Sequence, residues 1–474
     1  MHPQHLIVSQ AMEVIEPYDD RTSEDSRNRR SQHNQNAAIS CLPVEILGVI
    51  FVLLQHTPFP PSDERAKAEI TISHVTRHWR DVAIHSPLLW THIDLSPPQK
   101  LDAIAAYVQR SEACALAVHY CHPIKGVDTD ERSLNVNLIM GHVHRWKSFY
   151  LSGPSSVIDR IGLRLRFFVA PLLQQLSRVD QHHAFPYNVT PRDQCPPTVF
   201  LGGTPILSSV HLQLQGRDLP FFCPSLGSVK NLSLSLEGFK NYRLISNVLT
   251  AAPFLETLYF QVDRDNYSPA PWPSEDLDYI KMPHLHSLCI KSPEFSCRTA
   301  RMAILGLLRT LQTPQLHSIT LQSVIIHNPF QLRFIFDDLQ IISGTKFPLL
   351  RSLAFIDCTI DALSYRRFAQ YFSTVTCLSV ACSYSAPGCE ILRDMASYPS
   401  EYKHWLHMDT ISVNIRVLGD IEDVLCRIVS NQMIAGSPIH KVRLNRDAPL
   451  TMRRLEWLQE HVEVEPFLTW DGDS

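Results

Sequence analysis

The residue types that hold metals or perform nucleophilic chemistry are plentiful in this chain, which has 23 histidines and 12 cysteines, but their spacing matches no phrase those chemistries use. H-E-x-x-H, which sets two imidazoles and a base on one helix face, is absent. His182-His183 stands in a polar, proline-flanked stretch with no acidic ligands in series. Cys377, Cys382 and Cys389 cluster, but a structural zinc site wants paired thiols such as CxxC, and the chain has none. They read as small buried thiols in a core. Gly344-Thr345-Lys346 lacks the upstream glycines whose backbone cradles a phosphate. No Ser or Cys sits in G-x-S-x-G. The absent phrases disfavour an enzyme: no catalytic residue, cofactor or metal is assigned, and only a pocket of converging residues with perturbed pKa values would revive that reading.

The elements around these residues say more. A length of 474 residues exceeds what one compact core holds, so several domains or a repeat array are expected. The composition, 45% hydrophobic and 19% charged, suits a folded protein, and a net charge of -4 gives no general pull toward nucleic acid or an anionic membrane. Residues 1–40 hold no apolar stretch of the kind that directs export, and the most apolar segment, Ile46 to Leu54, is far too short to span a bilayer. The cysteines are then thiols in a reducing compartment, and the N-x-S/T triplets at Asn188, Asn231 and Asn266 are chance matches. A cytoplasmic or nuclear protein is expected.

Three stretches differ in pattern. Residues 1–38 are polar and charged and read as a disordered leader, with Arg27–Arg30 a solvated run in preference to an import signal. Residues 39–95 read as a helical unit. Pro43 suits a first helical position and Glu45 the positive end of the helix dipole. Ile46, Val49, Ile50 and Leu53 mark one helix face, while Leu47, Phe51 and Leu54 mark another. A second segment carries Ile72, Val75, Trp79 and Val82 at helical spacing and ends at Ser86-Pro87. Fewer than 60 residues cannot easily cover both faces of the first helix, so apolar surface is left for a partner.

From about residue 90 onward a phrase of the form P-x-L-x-x-[LIV]-x-[LIF] recurs, at Pro205, Pro253, Pro283, Pro314 and Pro348, with looser copies at Trp90, Trp146, Val229, Met408 and Ile439, and residues 96–474 are read as one repeat array. Its last two apolar residues fall on one face of a short strand, and its first turns the chain into that strand. Parallel strands are expected at 210–212, 258–260, 288–290, 319–321, 353–355, 411–413 and 442–444. Helical stripes separate the phrases at 243–251, 298–311, 331–342, 365–372, 421–433 and 452–462. One strand and one helix per repeat would bury a continuous core. The copy from Leu350 through Cys358 to Ile360 carries every anchor of a leucine-rich repeat, including its Asn/Cys position.

Residues 41–95 resemble the F-box, in the form that precedes leucine-rich-repeat-like tails in fungi. The resemblance is carried by Leu42-Pro43-x-Glu45-Ile46-Leu47 with Ile50-Phe51, then Val75-Thr76-Arg77-His78-Trp79-Arg80-Asp81-Val82-Ala83, and finally Pro87-Leu88-Leu89-Trp90. Thr76 stands where relatives often have Cys. The resemblance implies an α/β protein, a helical F-box followed by an irregular leucine-rich-repeat-like solenoid. It also implies a substrate-receptor subunit of a cullin-type ubiquitin ligase. Leu42, Pro43, Ile46, Leu47, Ile50, Phe51, Val75 and Trp79 would then contribute to a Skp-type adaptor interface, although large apolar residues such as Trp79 serve equally well as core. The solenoid would hold a target protein, with Glu256, Tyr259, His286, Cys289, His317, Thr320, Arg351 and Ala354 as candidate surface positions. The segment Asp263–Tyr279, with Trp272 between prolines, reads as the cap of a repeat edge. The alternative is a repeat scaffold whose N-terminal helices merely cap the array. Exposure of the Ile46/Ile50 face or the Leu47/Phe51 face separates the two.

Overall fold

Each of the five P-x-L phrases closes a turn in the computed structural model. The N–H groups of Leu207, Leu255, Leu285, Leu316 and Leu350 donate to the carbonyls of Thr204, Ala252, Met282, Thr313 and Phe347, three residues earlier, at 3.2–3.3 Å. Proline occupies the second position of every turn, where its fixed φ matches the turn geometry at no further entropic cost. The leucine that ends the turn is buried each time. The repeated proline is thus a device that delivers the chain into a strand.

The structure describes residues 39, 42–56, 68–96, 99–122, 130–180, 199–215, 223–237, 242–262, 279–292, 306–326, 347–382, 390–405, 407–415, 421–445 and 451–467. The polar leader, His182-His183, Cys389, Trp272 and the helix expected at 331–342 lie outside them. No helix among the described residues is long and apolar enough to cross a membrane.

The described residues divide into two compact units, those of Met1–His92 with Asp102–Cys114 and those of Ile93–Leu101 with Ala115–Ser474. The second is a mixed α/β unit built on one sheet of fourteen strands: β1 His92–Asp94, β2 Leu116–Cys121, β3 Trp146–Gly153, β4 Gln175–Asp180, β5 Ser209–Gln215, β6 Asn231–Glu237, β7 Thr257–Val262, β8 Ser287–Lys291, β9 Ser318–Gln322, β10 Ser352–Ile356, β11 Cys377–Cys382, β12 Thr410–Ile415, β13 Lys441–Leu444 and β14 Glu463–Pro466. Their order in the sheet is their order in the chain. From β2 onward each pairs parallel with the next. All seven strands expected from the phrases are present. Tight parallel pairing demands crossovers, and helices supply several of them: Ser155–Leu165, Tyr242–Thr250, Ala362–Tyr371, Glu390–Ser397, Ile421–Ile434 and Met452–His461. Of the expected 298–311 helix, residues 306–310 are helical, and Leu311–Gln312 turns into a two-residue strand beside Ile280–Lys281.

Register aligns the apolar residues into rows. Leu232, Leu258, Leu288, Ile319, Leu353, Leu378, Ile411 and Val442 form one, and all are buried. Two residues on, Leu151, Leu212, Leu234, Phe260, Ile290, Leu321, Phe355, Val380, Val413 and Leu444 form a second, also buried. Cys358 is buried too, and its thiol donates to the Leu321 carbonyl at 3.1 Å. Burial pushes that thiol up to about 12, so it acts as a hydrogen-bonding strut and not as a nucleophile. The second row has one charged member, Arg178 of β4, set between Leu151 and Leu212. Its Nε and Nη2 donate to the two carboxylate oxygens of Asp180 at 3.1 Å, and both side chains are buried. The far edge is charged. Lys441 reaches Glu463 at 3.3 Å and Glu465 at 2.6 Å, and Arg443 reaches Glu465 at 3.0 Å.

The paired charge at β4 sets a sharp expectation. Asp180→Ala leaves Arg178 buried without its fork partner and should cost about 3–5 kcal/mol of stability in urea unfolding. Replacing both, Arg178→Leu with Asp180→Val, should recover most of that loss, because the row then becomes apolar throughout.

Candidate functional site

The N-terminal unit is built on α1, Val44–His56, which packs with α2, Ala68–Ser73, α3, Arg77–Ile84, and the 3-10 turn Pro87–Trp90. Thr76 is the N-cap of α3, its hydroxyl accepting the Trp79 N–H at 3.0 Å, so this Thr suits the helix start. The unit runs past residue 95. Helix α4, Leu101–Arg110, returns to it: Tyr107 stacks edge-on against Trp90 at 5.1 Å and donates to the buried Glu69 carboxylate at 2.5 Å. Burial and that carboxylate hold the Tyr107 phenol well above its ordinary range. The Arg110 guanidinium lies over the Trp90 ring, 4.3 Å from its centre.

The two faces of α1 have different fates. Leu47 and Phe51 are fully buried, and Phe51 lies 5.0 Å from the half-buried Trp79 ring. They form the unit's own core and present nothing to a partner, which corrects their assignment to an interface. Ile46, Val49 and Leu53 are 48%, 57% and 61% exposed, with Ile50 half-buried between them. Pro43 and Val75 are exposed and Leu42 half-buried. Beside this face lies a cleft of about 620 Å³, lined chiefly by Val44, Val49, Val52, Leu53, Val82 and Leu88, with Glu45, His78, Asp81 and His85 also on its walls. Gly48 and Ser86 also line it. Gln55 ties α1 to the 3-10 turn by donating to the Leu89 carbonyl at 3.1 Å.

In the strand unit, four of the candidate surface residues form one continuous line just before the strands. His286 donates its N–H to Glu256, His317 to His286, and Arg351 to His317, at 2.8–2.9 Å. The His286 and His317 rings lie 5.5 Å apart, and Lys230 extends the line by pairing with Glu256 at 2.8 Å. Tyr259 is apart from them, in a second row with Cys289, Thr320 and Ala354. Ala354 is buried and so is no surface position.

One polar cluster had no signal in the sequence. Ser96 and Asp94 meet His119, with Ser96 Oγ at 2.9 Å and Asp94 Oδ1 at 3.1 Å from the same ring nitrogen, Nδ1. A proton relay needs serine and carboxylate on opposite ring nitrogens, so these three are not a nucleophilic triad. They are a knot: Ser96 also gives its N–H and O–H to Asp94, and the His119 ring stacks on Tyr150 at 4.4 Å. Among the described residues no three His, Cys, Asp or Glu side chains converge as a metal site would require. No model of a known protein family matches the chain, and no curated protein matches it significantly.

Burial raises the Asp94 carboxyl, but hydrogen bonds from His119 and Ser96 outweigh it and hold the group well below its ordinary value of 3.8. A depressed folded pKa stabilises above the unfolded value and is lost as pH falls through the folded one. Asp94→Asn should therefore lower the melting temperature at neutral pH by the equivalent of about 1 kcal/mol. The difference from wild type should shrink as pH drops below 3.8, as melts at stepped pH will read.

Proposed function

We propose that this chain is the target-holding subunit of a cullin-type ubiquitin ligase, with the N-terminal unit an F-box that docks on a Skp-type adaptor and the strand unit a leucine-rich-repeat-like array that holds a target protein. The observation that carries this reading is the split character of α1. One apolar face is spent on the core, and the other, Ile46, Val49 and Leu53, stays exposed beside an apolar cleft. Burying a side chain of this size is worth about 1.5–3 kcal/mol, so three left in water mark a surface made for a partner. The phrases quoted above for the family resemblance contribute the same elements, and the proline-led turns and in-order parallel strands suit a repeat array. Ligases of this class work by placement, which asks for no catalytic group on the receptor. Glu256, His286, His317 and Arg351 are the proposed target contacts, being aligned and open on one line. The scaffold reading draws on Leu47 and Phe51, which pack inward as a cap would.

Full-length protein tests this best, since a cut near Ser96 would divide β1 from the sheet and α4 from the unit it packs in. Ile46→Asp with Leu53→Asp should reduce co-purification of a Skp-type adaptor by at least about tenfold while leaving circular dichroism and the melting profile unchanged, both sites being exposed. In cells the same variant should lengthen the half-life of any protein bound by the strand unit, measured after translation is blocked. Wild-type adaptor binding by the variant, or unaltered half-lives for every bound protein, would favour the scaffold.

A further inference from the structure

Among the described residues of the strand unit, exposed large apolar side chains cluster at the end of the helix Ser155–Leu165 and the turn after it. Leu163, Phe167, Phe168 and Val169 are all exposed, Phe167 to 78%. This display is built into the backbone. Phe200 and Leu201 donate to the Leu165 and Arg166 carbonyls at 3.2 and 2.8 Å, and Ala170 donates to the Gly203 carbonyl at 3.1 Å. The seam sets Gly202, the chain neighbour of exposed Leu201, against Phe168 and Val169. It closes only because Gly202 has no side chain: a Cβ there would lie 2.4 Å from Val169 Cγ2 and 3.2 Å from the Phe168 carbonyl oxygen. Gly203 follows at φ +110°, which an L side chain rarely adopts. A ledge so fixed loses little freedom when something binds it.

Its rim is cationic. Arg164 and Arg166 are exposed among the apolar residues, and the Arg166 guanidinium lies 5.4 Å from the Phe167 ring centre. The acids nearest along the chain do not offset them. Asp159, on the same helix, stands 3.9 Å from Arg178, and Asp180 is buried in its fork with Arg178. Exposed apolar patches with polar rims mark interaction sites, and aromatic residues and arginine are enriched at interfaces. Guanidinium forks match carboxylates in two parallel hydrogen bonds.

We propose that this ledge binds an acidic peptide segment of a partner protein, its carboxylates on Arg164 and Arg166 and its large apolar side chains on Phe167, Phe168 and Leu201. An anionic bilayer would offer similar chemistry, but the chain's net charge of -4 opposes its approach to a wide negative surface, whereas a short peptide meets chiefly the local field. The inference stands apart from adaptor docking, because it uses no residue of the N-terminal unit.

The test is fluorescence anisotropy of a fluorescein-labelled peptide of about a dozen residues, repeating Glu-Glu-Leu-Phe, titrated with the full-length protein. Saturable binding is expected. It should weaken by about tenfold or more with Phe167→Ser, with Arg164→Glu plus Arg166→Glu, and with a peptide carrying Gln for Glu, and it should weaken with added salt. The altered positions are exposed, so the variants should keep the wild-type melting profile. No saturable binding by wild type, or equal binding by both variants, overturns the proposal. Co-sedimentation with phosphatidylserine-rich vesicles without peptide binding would assign the ledge to lipid. Self-association that the same variants abolish would assign it to a second copy of the chain.

Discussion

A parallel strand cannot reach its neighbour by a tight turn, so every pair in this sheet requires the chain to leave, cross over and return in register. That constraint organises the strand unit. Return in register is enforced by the two apolar rows: a slip of one residue would turn each inward side chain outward. No single strand and its crossover enclose a core, and the rows become buried only when neighbours stack. The turns led by proline fix where each return begins, and the buried leucine after them fixes which face enters first.

The strands were legible wherever the phrase was intact. Pro253, Pro283, Pro314 and Pro348 announce turns, and the alternation after them announces strands. Others were silent for identifiable reasons. β4 carries Arg178 at a row position, and only the structure shows Asp180 neutralising it inside the core. β11, Cys377–Cys382, has Ser and Ala on both sides of its apolar residues and is buried almost throughout, so no alternation shows. β2, Leu116–Cys121, alternates well but lacks a leading turn phrase. The two-residue ladders lie below what any period can register.

The candidate surfaces were legible to a lesser degree, because sequence periodicity finds apolar faces without saying which is used at home. On α1 both faces carry large side chains, and the choice between them is marked by Trp79, whose ring meets Phe51 and whose position depends on tertiary packing. Helix α4 shows the same gap. It lies in the span 96–474 read as the repeat array, but the Glu69 carboxylate and the Trp90 ring claim it for the N-terminal unit. The Asp94–Ser96–His119 knot joins residues 23 and 25 positions apart by way of β-sheet pairing, a proximity no local pattern encodes.

Strand order that follows chain order has a consequence for synthesis. Each strand of this sheet leaves the ribosome with the neighbour it needs already made, so the sheet can grow vectorially, one strand at a time, with no wait for a distant partner. The growing edge is then an open template until the next strand arrives, and such edges invite pairing with other nascent chains. Among the described residues the outermost strand, Glu463–Pro466, tempers that exposure: it carries two glutamates opposite Lys441 and Arg443 and finishes in proline, which offers no N–H to a newcomer.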